Sequence, residues 1–295
     1  MPKLIVGCGY LGLRVAEQWH AAGHEVWVTT RSTDRARRFE QLGYRPIIAD
    51  VLDAGSLASL PAADTVLWAV GHDRRAAASI EQVYVGGLEN LLAALPECVR
   101  KLIYVSSTGV YGDFAGGWVT EESVCEPERP GGRACLAAEQ LLAGSRWSAK
   151  AIVLRMAGIY GPDRLPYLQT LVAGRPLEAP AQGFLNLVHV DDAARAVLAA
   201  DERGRPPRTY LVSDGCPVER AAFYAELARL LHAAPPSFNT SPEAPAAHRA
   251  AANKRIGNAR LRAELAPRFA FPSYREGLAA IARDYDIGRE TSHNP

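Results

Sequence analysis

The sequence predicts an α/β fold, a doubly wound parallel sheet with a small C-terminal lobe, on three observations. Strand and helix patterns alternate over the first half of the chain. The first apolar run, Leu4 to Val6, leads straight into glycines at positions 7, 9 and 12. A helical pattern follows at once, with Leu13, Val15, Ala16 and Trp19 at turn spacing.

The glycine spacing G-x-G-x-x-G has a reading at each position. Gly7 permits a sharp turn, Gly9 lets a diphosphate approach the main chain, and Gly12 lets the helix pack close to the strand. The helix start, with Tyr10 and Leu11, offers free N–H groups and a partial positive charge to phosphates. The motif therefore predicts dinucleotide binding.

The remaining elements follow in order. Residues 24–31 read as a second strand and 33–42 as a helix polar on one side. Strands at 45–50 and 64–71 come next, then a long helix at 79–95 with Ile80, Val83, Tyr84, Leu88, Leu91, Leu92 and Leu95 on its apolar face. Residues 101–107 form a fifth strand, 109–132 a glycine-rich loop, 133–146 an Ala- and Leu-rich helix and 149–156 a sixth strand. Beyond residue 156 the alternation loosens: a strand at 184–190 runs into a helix at 191–200, and a strand at 208–214 precedes a helix at 218–232. Residues 233–247 are proline-rich and irregular, and 253–265 read as a basic helical segment. The expected division is a dinucleotide-binding domain at 1–156 and a mixed segment at 157–295. That second part supplies the remaining sheet elements and a substrate-binding lobe over the carboxyl ends of the strands, where open α/β sheets bind ligands.

Composition narrows the function classes. The chain has 295 residues and 48% apolar content, enough for one large domain or one domain plus an appendage. Lys plus Arg is 33 against 32 acids, a balance that points away from nucleic acid and anionic membranes as partners. No apolar run approaches the ~20 residues of a membrane span. A fold beginning at Lys3 leaves no room for a signal peptide, so a cytoplasmic location is expected. Five cysteines with no C-x-x-C read as free thiols in a reducing compartment, and no metal site is expected.

The residues past the second strand bear on the cofactor. An NAD site places a carboxylate there for the ribose hydroxyls, but the sequence has Thr29-Thr30-Arg31-Ser32. Arg31 attracts a 2′-phosphate, Ser32 adds a hydroxyl, and Arg35 lies one helical turn on, so NADP is favoured over NAD. Asp50, with Val51 after it, ends the third strand near the expected adenine, and Ala69, Val70 and Gly71 end the fourth near the ribose.

Taken together, GCGYLG at 7–12, the acid-rich turn at 49–53, VSSTGVYG at 105–112, LRMAGIYGP at 154–162 and HVDDAA at 189–194 resemble the extended short-chain dehydrogenase/reductase superfamily. More narrowly, they are similar to its NAD(P)-dependent sugar epimerase/dehydratase-like branch. The resemblance implies an NAD(P)-binding Rossmann fold, with Ser107 bonding the reacting oxygen and Thr108 beside it. It also implies a Tyr-x-x-x-Lys pair on the next helix, where the chain has Gly131 and Cys135 instead. A neutral thiol gives no positive charge and cannot replace lysine. In the family this helix and 79–95 form a homodimer interface. Gly86 and Gly87, inside the predicted helix, fit either that interface or close packing within one subunit.

Most other candidates carry two readings. Tyr111 is a proton donor or a packing residue. Tyr160 is mostly structural. Arg155 binds a substrate anion or an internal carboxylate such as Asp191. His189 contacts substrate or sits hydrogen-bonded in the core, while Asp191 or Asp192 caps the helix that follows. Lys254 and Arg255 meet a phosphorylated substrate or form a solvated basic surface, and Glu121 and Glu122 read as surface residues. Two functions fit. One is an NADP-dependent oxidoreductase or epimerase acting on a hydroxyl or carbonyl of a sugar-like or nucleotide-linked small molecule. The other is an NADP-binding sensor or docking protein without catalysis.

Overall fold

The computed structural model describes residues 1–73, 75–239 and 253–292. In chain order the strands are β1 (Lys3–Val6), β2 (Val26–Thr30), β3 (Arg45–Ile48), β4 (Thr65–Trp68), β5 (Lys101–Ser107), β6 (Trp118–Val119), β7 (Ala151–Met156), β8 (Gly158–Tyr160), β9 (Phe184–Leu185), β10 (Leu187–His189), β11 (Arg208–Val212), β12 (Val218–Glu219) and β13 (Arg255–Ile256). The helices are α1 (Tyr10–Ala21), α2 (Thr33–Gln41), α3 (Gly87–Ala94), α4 (Pro130–Gly144), α5 (Leu168–Val172), α6 (Val190–Arg203), α7 (Arg220–Leu230) and α8 (Tyr274–Ser292).

Seven strands form one parallel sheet in the order β11-β7-β5-β4-β1-β2-β3. The central strands β1 and β4 are buried along their whole length, which is why they read as continuous apolar runs. Val15, Trp19, Phe39 and Val197 from α1, α2 and α6 cover one face. Leu88, Leu91, Ala138 and Leu142 from α3 and α4 cover the other. The sheet is thus doubly wound, as the sequence predicts. The strand order reverses between β4 and β1, and a crevice opens there at the carboxyl ends. A separate apolar cluster around Tyr160, Phe223, Leu227, Tyr274 and Leu278 joins α7 and α8 into a small lobe.

Several elements differ from expectation. The helix at 79–95 is not uniform: Gln82–Gly86 is a π-helical turn before α3. The helix expected at 133–146 begins earlier, because Pro130 at its first turn has a fixed, helix-compatible φ. The run at 184–190 splits into β9 and β10, which pair with different strands. The basic tail is not a helix at its start: β13 pairs with β6, and only Leu261–Leu265 makes a π-helical turn. The C-terminal helix α8 has no counterpart among the expected elements. Of the proline-rich stretch, residues 240–247 lie outside the described residues. Glu121 is no surface residue; its side chain is 7% exposed and accepts the Leu211 N–H at 3.0 Å, satisfying a main-chain donor on the edge strand β11. Glu122, which pairs with Arg260, is exposed.

Where the lobe meets the sheet, the Tyr160 hydroxyl, His189 Nε2 and Asp214 Oδ2 are buried without a hydrogen-bond partner among the described residues. Burial, with Glu276 and Asp192 adding to it, pushes the Asp214 carboxyl up to about 7 against the pull of the Cys216 N–H and Arg262. The folded state therefore holds a proton that the unfolded chain has released. The stability this contributes is complete below about pH 4 and is lost as pH rises through about 7.

A Cβ on Gly87 would lie 2.8 Å from Val51 Cγ2 and 3.4 Å from the Trp68 ring, whereas nothing lies within 4 Å of one on Gly86. Gly87→Ala should destabilise by about 1–3 kcal/mol, and Gly86→Ala should be neutral or stabilise by up to about 1 kcal/mol; denaturant unfolding of both variants checks the opposite signs. Asp214→Asn should lose less stability than wild type between about pH 4 and pH 7, and parallel profiles would refute the protonated carboxyl.

Candidate active site

The site is built on the first βα turn. Gly7 has φ +91°, and a Cβ there would lie 2.6 Å from the Val70 nitrogen. A Cβ on Gly12 would lie 2.7 Å from the Gly7 carbonyl oxygen and 3.2 Å from Ile5 Cγ2. Nothing lies within 4 Å of a Cβ position on Gly9. Two glycines close the turn and the third leaves open space over the main chain, the shape a diphosphate needs. Gly9 caps α1 with no side-chain hydrogen bond, so the first-turn N–H groups have no side-chain acceptor there. The Gly7 N–H donates to Thr29 Oγ1 at 3.1 Å and ties the turn to β2.

From this turn a cleft of about 370 Å³ runs across the carboxyl ends of β2, β3 and β4. Of the expected cofactor residues, Gly7, Gly9, Arg31, Arg35, Asp50, Val51, Ala69, Val70 and Gly71 line it, joined by Thr29, Thr30, His72 and Val83, which no local motif marks as cofactor residues. Tyr10, Leu11, Gly12 and Ser32 do not. Leu11 and Gly12 are buried under the turn. The Tyr10 hydroxyl donates to the Pro162 carbonyl at 2.7 Å, with the Arg14 and Arg164 guanidiniums against its ring. The Ser32 hydroxyl caps α2 by accepting the Arg35 N–H at 3.3 Å.

Two guanidiniums stand at the β2 end of the cleft. The Arg31 side chain is 60% exposed, with Nη1 3.9 Å from Asp50 Oδ2. Arg35 Nη2 donates to the Cys8 carbonyl at 2.6 Å. An ion pair this open is weak, so Arg31 remains available to an anion. The residues present fit a nicotinamide dinucleotide.

At the end of β5, Ser107 Oγ accepts the Gly109 N–H at 3.0 Å, which leaves its own proton free to donate. Thr108 is buried in the short turn Thr108–Val110. Behind this turn lies a closed polar network. Arg155 donates from Nε and Nη2 to Glu139 at 3.1 and 2.6 Å and from Nη1 to the Tyr111 hydroxyl at 2.6 Å. Ser106 Oγ donates to the same carboxylate at 2.5 Å. Every member is buried.

This geometry corrects several expectations. Tyr111 is 1% exposed and locked on Arg155, and burial pushes its phenol up to about 12, so it does not offer a proton to the cleft. Arg155 pairs with Glu139 rather than with Asp191 or a substrate, because a buried guanidinium is stable only with its charge matched. His189, not an aspartate, caps α6: its Nδ1 accepts the Asp191 N–H at 3.3 Å. The ring lies 3.9 Å from that of Phe271, and burial lowers its pKa, so it is a neutral core residue and not a substrate contact. Asp192 instead accepts the Ala270 and Phe271 N–H groups at 2.8 Å each. Lys254 is buried, donates to the Tyr111 and Gly112 carbonyls at 3.0 and 3.2 Å, and is pushed down to about 8 chiefly by burial. Arg255 Nε donates to the Gly116 carbonyl at 2.6 Å, and its guanidinium stacks on Trp118 and Phe184. Neither basic residue is free for a phosphorylated substrate.

At the place of the family's tyrosine, a Cβ on Gly131 would touch Ile80 Cδ1 at 3.4 Å. At the place of the lysine, burial pushes the Cys135 thiol up to about 12. Gly87 faces Val51 and Trp68 of its own chain. Among the described residues no group of three or more His, Cys, Asp and Glu side chains is placed to hold a metal ion, and no helix is long and apolar enough to cross a membrane.

The polar network yields a stability prediction. Glu139→Ala would strand the Arg155 charge in the interior and should cost about 3–5 kcal/mol of unfolding free energy. A loss below about 1 kcal/mol in a denaturant titration would show that the pair is not carrying that charge.

Comparison with known proteins agrees with this architecture. Residues 4–213 match the model of the NAD dependent epimerase/dehydratase family. The chain is 29% identical over 243 residues to Protein YeeZ of Escherichia coli (strain K12), covering 80% of this chain and 86% of that one. It is 29% identical over 230 residues to a 4-hydroxy-2-methyl-3-oxo-4-farnesyl-3,4-dihydroquinoline-1-oxide ketoreductase of Stigmatella aurantiaca, covering 74% of this chain and 69% of that one. A solved structure of a putative NAD-dependent epimerase/dehydratase from Methylobacillus flagellatus is 31% identical, with TM-score 0.77 over 97% of this chain and 98% of that one. The chain therefore belongs to the NAD dependent epimerase/dehydratase family and is an NAD(P)-dependent enzyme of the oxidoreductase and epimerase type.

Proposed function

We propose that this enzyme is NADP-dependent and transfers hydride to or from a carbonyl or hydroxyl carbon of a small sugar-like or nucleotide-linked substrate in a reducing cytoplasm. The observation that carries the cofactor choice is the pair Arg31 and Arg35 lining the cleft beyond β2, where the sequence has no carboxylate. A guanidinium binds a 2′-phosphate through paired N–H groups and gains nothing comparable from a bare ribose. When bound, the coenzyme supplies or accepts the hydride. Gly9 and the start of α1 hold its diphosphate, and Val70 and Gly71 border its ribose. Ser107 donates its free proton as a hydrogen bond to the substrate oxygen and polarises it. The likeness to a ketoreductase supports carbonyl chemistry over mere coenzyme sensing.

The second reading is an NADP-binding sensor without turnover. It rests on Gly131 and Cys135, which remove the family's acid/base pair.

Arg31→Ala should weaken NADPH binding about tenfold to a hundredfold, the worth of a charge-assisted contact, with little effect on NADH. Equal weakening of both in a fluorescence titration would contradict the assignment. Against a panel of aldehydes, ketones and nucleotide-linked sugars, NADPH oxidation should appear and slow about tenfold or more in Ser107→Ala. Coenzyme binding with no oxidation anywhere on the panel would favour the sensor.

A further inference from the structure

Reducing a carbonyl consumes a proton as well as a hydride, and the residues so far placed at the site do not supply one. Gly131 has no side chain, and the buried Cys135 thiol holds its proton too tightly. The tyrosines near the strand ends narrow the search. Tyr10 donates to Pro162, Tyr104 is 1% exposed within the sheet, Tyr111 is closed on Arg155, and Tyr160 is buried toward the lobe.

Tyr84 differs from the buried three, and among the described residues none holds its hydroxyl as Pro162 holds that of Tyr10. It is only half-buried and sits on the π-helical turn Gln82–Gly86, an irregularity that often marks a functional position. Its neighbour Val83 lines the cleft, as does His72, whose main chain acts on the phenol to favour its ionised form. The ring packs against the cluster of Val110, Tyr111 and Cys135, beside the place the lysine would have occupied. The π turn itself packs on α4, which carries Gly131 and Cys135. Arg164, against the Tyr10 ring at 5.3 Å, brings a guanidinium whose charge reaches both phenols.

We propose that Tyr84 is the proton donor of the carbonyl reduction, with the His72 main chain and the Arg164 guanidinium stabilising the phenolate it leaves. The proposal rests on the NADP-dependent carbonyl chemistry set out above. The carbonyl oxygen takes the Tyr84 proton as its carbon takes a hydride from the dihydronicotinamide, the carbonyl electron pair moves to oxygen, and water re-protonates the phenolate. Burial raises the Tyr84 pKa and the neighbouring Cys135 adds to it, while His72 and Arg164 pull it down. A positively charged nicotinamide ring beside it would lower it further and bring it toward working range.

The test reads phenol ionisation by ultraviolet difference spectroscopy, with NADP⁺ as the probe. Subtracting the Tyr84→Phe titration from wild type isolates one phenol among eleven tyrosines. Saturating NADP⁺ should move that phenol down by about one pH unit, and Arg164→Gln should move it up. NADP⁺ binding with no movement overturns the assignment of Tyr84 alone; absence of binding overturns the coenzyme reading and this proposal with it. In the turnover assay Tyr84→Phe should lower kcat by about 10²–10⁴-fold and leave the NADPH Kd within about twofold. A variant with wild-type kcat would also overturn it.

Discussion

No Cβ fits between the first βα turn and the end of β4, and the cleft is built outward from that contact. Gly7 brings its main chain against Val70, so residues 69–71 lie directly beside the glycine turn. The same device recurs where Gly87 meets Val51, another residue of the cleft wall. Gly7 thus fixes the approach of the first βα turn to the end of β4, and Gly87 fixes the approach of α3 to Trp68 of β4 and Val51 of the loop after β3. A ligand held there meets a floor whose shape is set by packing density, not by mobile side chains.

The charged residues sort by burial. Arg155 and Lys254 are buried, and each is closed on partners inside the protein. Their work is to hold the segment around Ser107, Tyr111 and the 112–118 loop in place, since a buried cation without its partners would be costly. Arg31 is the opposite case, an exposed side chain at the mouth of a cleft with a carboxylate 3.9 Å away. Field and access both leave it to an anion from solution. The buried Arg155–Glu139–Tyr111 network, with Ser106 bonded to the same carboxylate, supports the end of β5 next to Ser107.

Much of this was legible in the sequence because it is local. Gly7, Gly9 and Gly12 encode a main-chain shape within six residues, and the apolar runs of β1 and β4 encode double burial. The alternation of strand and helix then gives the layers. What the sequence hid is non-local. Nothing near Arg155 says that its carboxylate lies on α4 at Glu139, so Tyr111 looked free when it is occupied. His189 resembles a site residue until the first turn of α6 is seen to need its Nδ1 as a cap. The basic tail carried a helical rhythm, but Gly257 and pairing with Trp118 and Val119 turned its start into a strand. The π turn at 82–86 had no local signature beyond an adjoining pair of glycines, and it is the feature that sets Tyr84 apart.

In the proposed coenzyme site a guanidinium just beyond β2 reads an extra phosphate on adenosine, with the diphosphate over Gly9. A crystal structure of the protein with NADP⁺ tests it most directly. The 2′-phosphate should lie within hydrogen-bond distance of Arg31 or Arg35 and the diphosphate on the first-turn amides of α1. A coenzyme whose 2′-phosphate points to solvent with both arginines unengaged, or a cleft that takes up no coenzyme, would contradict it.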